Sequence, residues 1–485
     1  MGAGASLDKN KISFWRMFAV SMSGIVLYGY AYATSGGFVS TAGRAAIYVG
    51  VLGAIVVLLA SIPILEYTRL VNFAGGYYGL AELAFGKAVG KFTALANYTY
   101  YFFWQTGNGT LMAMLMVVGY YMIFGVLPPI WVFFAIAYLT VIIVTLFAVL
   151  HVSMTTRIML MSVIIQIIVV LASSIYVIAR TPYNSTVFLN PTSGPGGFTG
   201  IALGASIAGF LTFTGYGNPL FYSEEGAKAR KTVWKAIIVA VFLATLVGSV
   251  SIYSEIAGVK NIGIVASSPI PLLTAYGPYV GTIGLLFFYA LLLPLYYTNL
   301  SAGTGSWARL IWAMTRDGFI KSKWINQLNS KKVPVHAAIL NLVTALITIT
   351  ITGAVIFKIY GYNENSMFYA GFAPLTAAVV AWYFHHFIPD IGLGFYIRKH
   401  KIKVSLLRLA LTAVITPAFG VSLFAYAFYA GIISNLVEPY FSFVVAALIM
   451  VAIMAIFTVY KSLKNQMGES VVSYMTAEAD KGEEL

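Results

Sequence analysis

Residues 201–238 read IALGASIAGFLTFTGYGNPLFYSEEGAKARKTVWKAII. The opening, IALGASIAGFLTF, is apolar enough to enter a bilayer as a helix. The run from Thr214 to Pro219 then crowds Gly215, Gly217 and Pro219 together at mid-membrane depth. Glycine is a weak helix former, and Pro219 lacks a backbone N–H and clashes with the carbonyl four residues back. Hydrocarbon offers no water to free backbone groups. A helix broken at that depth is tolerated only where it is buried in protein or lines a cavity. Transporters hold substrates and ions at such breaks. Gly and Pro also make simple kinks in membrane helices, so this stretch alone leaves kink and site as equal readings.

Composition sets the frame around it. The chain has 485 residues, of which 60% are hydrophobic and 9% charged; soluble domains carry about 25% charged residues. Apolar runs of about twenty residues, the length that spans hydrocarbon, recur throughout. The fold class is therefore an all-α polytopic membrane protein. The polar start MGAGASLDKNK and the long, aromatic first apolar run do not fit a cleavable signal peptide. The Met-Gly start resembles a lipidation signal, which a multispan chain does not need. With no cysteine, disulfides and thiolate metal sites are excluded.

Twelve transmembrane helices are expected, at 14–38, 48–65, 92–124, 130–150, 157–179, 201–222, 235–257, 279–314, 335–356, 367–388, 406–433 and 441–460. The first is interrupted at Ser23-Gly24. With the N-terminus placed inside, 25 of the 29 Lys and Arg fall on the inner side, and only Arg44, Arg180, Lys260 and Lys358 fall outside. That asymmetry predicts both termini in the cytoplasm; the expected location is the plasma membrane. It also accounts for the net charge of +14 through loop residues beside anionic headgroups of the lipid bilayer, with no nucleic acid. Residues 1–13 read as an N-terminal tail, 14–180 as a five-helix block and 181–200 as an external loop. Residues 201–391 form a second block, 392–460 two extra C-terminal helices and 461–485 a tail. Each block opens with a Gly-interrupted helix. Five spans per block turn the second block upside down, which gives a 5+5 inverted repeat with broken helices 1 and 6 facing each other at the midplane.

Three segments resemble the amino acid–polyamine–organocation permeases. Glu66 to Tyr78, EYTRLVNFAGGYY, is similar to that family's acidic segment closing in A-G-G-x-Y. Residues 209–238, from GFLTFTGYGNP through SEEGAKAR, resemble its F-x-x-F-x-G-F/Y segment with a paired-glutamate follow-on, although Gly217 stands where an acidic residue is usual. SWARLIWAMTRDGF, from Ser306 to Phe319, is similar to its S-R-L-x-Y-A-M-A-R-D-G run. The resemblance implies a leucine-transporter-like fold.

Candidate site residues follow the two breaks. Ser21, Met22, Ser23, Gly24 and Ile25 surround the first, where unpaired N–H groups and a helix dipole suit a carboxylate; close helix packing is the alternative. Phe213, Thr214, Gly215 and Tyr216 surround the second, with carbonyls suited to an ammonium group. The resemblance places Phe210 as an aromatic lid. Tyr101, Trp104 and Asn108 crowd the third span, and Asn299 is a mid-membrane amide that suits either a helix partner or substrate. Gln166, Thr304 and Ser306 are candidates for ion coupling, although helix-internal hydroxyls usually bond their own backbone. His385, His386 and Asp390 read as interfacial, and Glu224 and Glu225 as partners of Lys228, Arg230 and Lys231.

The expected function is a secondary active permease moving amino acids or related small amines by alternating access. The coupling ion, H+ or Na+, stays open. No cofactor or metal is expected. A polyamine or organic-amine exchanger is the alternative within the fold; a channel or an intramembrane enzyme are the alternatives outside it.

Overall fold

The computed structural model describes residues 6–71, 73–205, 210–427, 429 and 437–472. Helices dominate. Among the described residues no strand forms, and β pairing is confined to a single bridge between Ile12 and Gly226. Among the described residues nine helices are long and apolar enough to cross a membrane, or ten when the bent pair Phe14–Ala33 and Ser35–Ala45, which turn by 64°, is taken as one span. The outer surface is apolar, with Phe242, Ile283, Ile351 and Leu407 exposed, while Gln166, Asn299, Glu255, His386 and Asp390 lie buried. A water-soluble protein arranges these the other way; a bundle solvated by lipid keeps its polar groups inside. The chain is a multi-pass membrane protein.

In chain order the elements are α1 (Phe14–Ile25), α2 (Leu27–Ala33), α3 (Ser35–Ala42), α4 (Ile47–Leu70), α5 (Tyr77–Phe85), α6 (Lys87–Phe124), α7 (Ile130–Ala148) and α8 (Val152–Arg180). There follow α9 (Phe198–Gly204), α10 (Phe210–Phe213), a 3-10 stretch (Thr214–Glu225), α11 (Ala229–Ala257), α12 (Gly263–Ser267) and α13 (Pro271–Arg316). The remainder are α14 (Val335–Tyr360), α15 (Glu364–Lys399), α16 (Leu406–Ala410), α17 (Thr416–Ala427) and α18 (Tyr440–Leu463).

The expected spans differ from these elements at several ends, and three differences change where a helix breaks or begins. The first break falls at Val26, not at Ser23-Gly24: α1 stays helical through Ile25, and Val26 sits at φ 56°, ψ 57°. A β-branched residue rarely adopts that left-handed conformation, so the site is strained. The expected sixth span is not one helix. It runs through α9 and α10 into the 3-10 stretch, twelve residues long, where such runs rarely exceed a few residues and often mark a hinge. The expected eighth span begins earlier, at Pro271, and carries its own break at Gly281 (φ 62°, ψ −177°). The expected eleventh span reaches into residues the structure does not describe.

At the face carrying the N-terminus the bundle is tied shut. The N–H groups of Lys11 and Ile12 donate to the Glu225 carbonyl at 2.8 and 3.1 Å, and the N–H of Ala227 donates to the Ile12 carbonyl at 2.8 Å. Arg309 grips the Glu225 carboxylate with Nε at 2.6 Å and Nη2 at 2.9 Å. Arg316 does the same to Glu224, at 2.9 and 3.1 Å. The partners of both glutamates therefore come from α13, not from neighbouring Lys228, Arg230 and Lys231. Lys228 is itself left-handed, at φ 49°, and turns the chain into α11 away from the two carboxylates. Beside them Lys91 lies 2.7 Å from Asp317 and 3.2 Å from Glu82. Burial pushes the Glu82 carboxyl above its ordinary pKa, with Lys91 pulling the other way.

Candidate functional site

The two breaks touch. A Cβ added to Gly24 would strike the Gly215 carbonyl oxygen, and one added to Gly215 would strike the Gly24 carbonyl oxygen. Glycine is needed at Gly24 because another backbone passes against it, and its own backbone is ordinary helix. Ser21 Oγ reinforces the crossing by donating to the Tyr216 carbonyl at 2.7 Å.

Beyond the crossing, on the side away from the ion pairs, lies a cavity of about 90 Å³. Gly24, Ile25, Val26, Gly29, Tyr30 and Ala33 form one wall, with Thr34 at its end. Trp104, Asn108, Leu111 and Leu115 come from α6, Thr212 and Thr214 from the second break, Tyr296 from α13, and Phe372 and Leu375 from α15. Among the described residues the lining carries no charged side chain. Its polar groups are few: Asn108 accepts from the Tyr296 hydroxyl at 2.9 Å and donates to the Trp104 carbonyl at 2.8 Å. At the crossing, Ser23 Oγ is buried and has no hydrogen-bond partner among the described residues. A buried hydroxyl without a partner is costly in a low-dielectric interior, which marks the place as suited to a ligand group.

The break at Val26 is held from α8. Gln166 Oε1 accepts from the N–H of Tyr28 at 3.0 Å and from Asn299 Nδ2 at 2.9 Å. Gln166 Nε2 donates to Asn299 Oδ1 at 2.9 Å and to Ser162 Oγ at 3.0 Å. One amide thus caps the new helix and locks face to face with a second amide from α13. The first turn of any helix leaves N–H groups without intrahelical partners, and Gln166 satisfies one of them.

The sequence-predicted residues sort by position. Gly24, Ile25, Trp104, Asn108 and Thr214 line the cavity. Met22 and Phe213 are buried beside it, Phe213 edge-on to Tyr30 with ring centroids 5.8 Å apart. The side chain of Phe210 lies outside the described residues. Tyr101 donates to Asn218 Oδ1 at 3.0 Å, Asn299 pairs with Gln166, and none of Tyr101, Asn299 and Gln166 is among the lining residues. Thr304 donates to Gln105 Oε1 at 3.0 Å and Ser306 to Asn218 Oδ1 at 3.2 Å, so Gln166, Thr304 and Ser306 each engage a different partner and share none.

One expectation is overturned. His385, His386 and Asp390 are not interfacial; all three are fully enclosed. The Tyr216 hydroxyl hydrogen-bonds His386 Nε2. Their helix, α15, passes along the second break, and that neighbour stands 170 residues away in sequence. The signal was present: ionisable side chains within an apolar helix face the bundle interior as a rule. Val26, Tyr30, Thr34, Tyr296, Phe372 and Leu375 were missed as lining residues. For Val26 the sequence offers no signal, because nothing in a valine announces a left-handed backbone.

A family model described as amino acid permease matches residues 12–459, which takes in every membrane helix from α1 onward and most of α18. No curated protein matches the chain.

Proposed function

The chain belongs to the amino acid permease family, a family of membrane transporters, and from that premise we propose that it is a secondary active transporter carrying amino acids with apolar side chains by alternating access. The cavity carries this reading. It lies where the two broken segments cross, and its wall is apolar with a few hydroxyls and one amide. A small pocket of this kind, with few convergent polar groups, suits a small apolar ligand. The substrate carboxylate is assigned to the cavity wall beside the first break at Val26, where the Gly24 backbone lines the space and the Ser23 hydroxyl, buried just behind it, has no partner among the described residues. The ammonium is assigned to the carbonyl side of the second break, near Thr214. Trp104 and Tyr296 enclose the side chain.

A polyamine exchanger is disfavoured by the same wall. A dication in a membrane interior needs carboxylates, and none lines the cavity. The paired ion bridges at the N-terminal face support a state closed on that side. With 25 of 29 basic residues assigned to it by the span pattern, that side is taken as the cytoplasm. The five-plus-five arrangement of blocks at residues 14–180 and 201–391 supplies two gates of the kind alternating access requires.

The test is a thermal-shift series on purified protein. A ligand that binds only the folded state raises stability with the logarithm of its concentration. Apolar amino acids are expected to raise the unfolding temperature, and putrescine and spermidine to leave it unchanged. The reverse pattern would replace this reading with the polyamine one.

A further inference from the structure

The second break is wired to a buried acid–base pair. Tyr216, on the 3-10 stretch, bonds through its hydroxyl to His386 Nε2 and to Ser61 Oγ. His386 Nδ1 lies 2.9 Å from Asp390 Oδ2, one helical turn on. Trp382 stacks on the His386 ring at 4.0 Å and 23°, and its indole N–H donates to the Thr214 carbonyl at 3.1 Å. Two connections therefore join His386 to the strand of chain that walls the cavity, one through the Tyr216 side chain and one through the Thr214 backbone.

The charge balance around the pair is unusual. Tyr216, His386, Trp382 and Asp390 are all buried. Asp390 Oδ1 has no hydrogen-bond partner among the described residues. Among those residues no lysine or arginine lies within 4.0 Å of either carboxyl oxygen. The groups facing the pair from neighbouring elements are hydroxyls: Tyr67 from α4, Tyr77 from α5 and Tyr216 from the break. On α15 itself, Tyr396 packs on Tyr67, and His385 packs against Tyr77 and Tyr100. The cations at the end of α15, Arg398 and Lys399, are exposed. Glu66 of α4 is already paired with Arg69 and Arg408. With one proton shared between imidazole and carboxyl the pair is neutral. Without it a single negative charge sits in the bundle interior with no counter-ion, which is strongly unfavourable. The pair therefore holds its proton while the bundle is shut and gives it up when water reaches it.

We propose that His386 and Asp390 are the proton-binding site of this transporter, joined to the substrate cavity through Tyr216 and the Trp382–Thr214 contact. This rests on the reading that the cavity carries an amino acid. One proton is taken from water on the side where substrate enters. It is held as imidazolium and carboxylate, or as imidazole and carboxylic acid, and returns to water on the other side. No electron moves. Rearrangement of the 3-10 stretch during the transport cycle pulls Tyr216 off His386 and opens the pair. Glu255 is the rival carrier. It too is buried, bonded to the hydroxyls of Ser35 and Ser251, neither of which lines the cavity; Tyr30, which does, lies near it with no hydrogen bond among the described residues.

The test uses full-length protein in sealed liposomes with labelled L-leucine, the membrane potential clamped. Counterflow at equal pH reports the amino acid reading alone. Accumulation driven by an imposed gradient of about one pH unit reports the proton, and one coupled proton supports up to about tenfold accumulation. Asp390→Asn is expected to lose gradient-driven accumulation entirely, measured relative to that variant's own counterflow. Glu255→Gln is expected to keep both. Wild-type accumulation in Asp390→Asn, its loss in Glu255→Gln alone, or counterflow without pH-driven accumulation in wild type would each overturn the proposal. If Asp390→Asn does not yield folded protein, His386→Gln carries the same accumulation criterion. Failure of leucine counterflow in wild type would count against the amino acid reading, and the proton site is then decided without substrate. A pH-difference infrared spectrum of the reconstituted protein is expected to show a titrating band that Asp390→Asn removes; retention of every titrating band in that variant overturns the proposal.

Discussion

The two breaks solve one problem in opposite ways. The first is abrupt: a single left-handed residue, Val26, separates α1 from α2, and the exposed N–H of Tyr28 is met by the Gln166 side chain from another helix. The second is diffuse: twelve residues, Thr214–Glu225, wind as a 3-10 stretch. Its carbonyls at Thr214 and Tyr216 receive donors from Trp382 and Ser21, and its far end is clamped by Arg309 and Arg316. A sharp break needs one good cap. A long one needs support at several points, and each support is a place where another element can pull on it. The second break is therefore tied to several other elements, and the first rests on one side chain.

Removing the clamp is expected to have the largest effect. Arg309→Ala leaves the Glu225 carboxylate buried without its partner, and breaking a buried pair costs roughly 3–5 kcal/mol. Unfolding in mixed micelles is expected to show a loss of that size, and a loss under 1 kcal/mol would show that the far end of the second break is not anchored there. Next come the glycines at the crossing. Gly24→Leu and Gly215→Leu each push a side chain into the opposing carbonyl, where overpacking costs about 1–3 kcal/mol. The two losses are expected to match, because they destroy the same contact, and both variants are expected to lose stabilisation by apolar amino acids. A Gly24→Leu protein with wild-type ligand response would separate the two breaks and remove the crossing from the site.

The first break is tested by its cap. Gln166→Leu strands the Tyr28 N–H and the Asn299 amide, for about 1–3 kcal/mol. Asn299→Leu is expected to cost a similar amount, and the double variant little more than either, since both belong to one amide pair. Additive losses would mean that the pair does not act as a unit. Smallest is Ser21→Ala, which removes one hydrogen bond to the Tyr216 carbonyl and is expected to cost about 0.5–1.5 kcal/mol in the same unfolding measurement.

The sequence made these two breaks unequally legible. The second announces itself in Gly215, Gly217 and Pro219, because local chemistry disfavours a helix there. The first was placed at Ser23-Gly24 on the strength of a glycine. That glycine answers to a neighbouring backbone 191 positions along the chain, and the break falls on a valine held open by Gln166. The apolar spans were readable from composition because lipid exposure imposes their length. The partners of Glu224, Glu225 and His386 were not, since each lies on an element far away in sequence and only packing brings them together. Cavity walls built from Phe372, Leu375 and Tyr296 look like any buried apolar positions until the helices are assembled around the crossing.

The central claim is that the space beside the crossing holds an amino acid and passes it across the bilayer. Counterflow tests it most directly: liposomes holding wild-type protein are loaded with unlabelled leucine and diluted into labelled leucine. A transient overshoot of trapped label is predicted, abolished in Gly215→Leu and absent when spermidine replaces leucine inside the liposomes. An overshoot of unchanged height in Gly215→Leu, or one with spermidine and none with any apolar amino acid, would contradict the account.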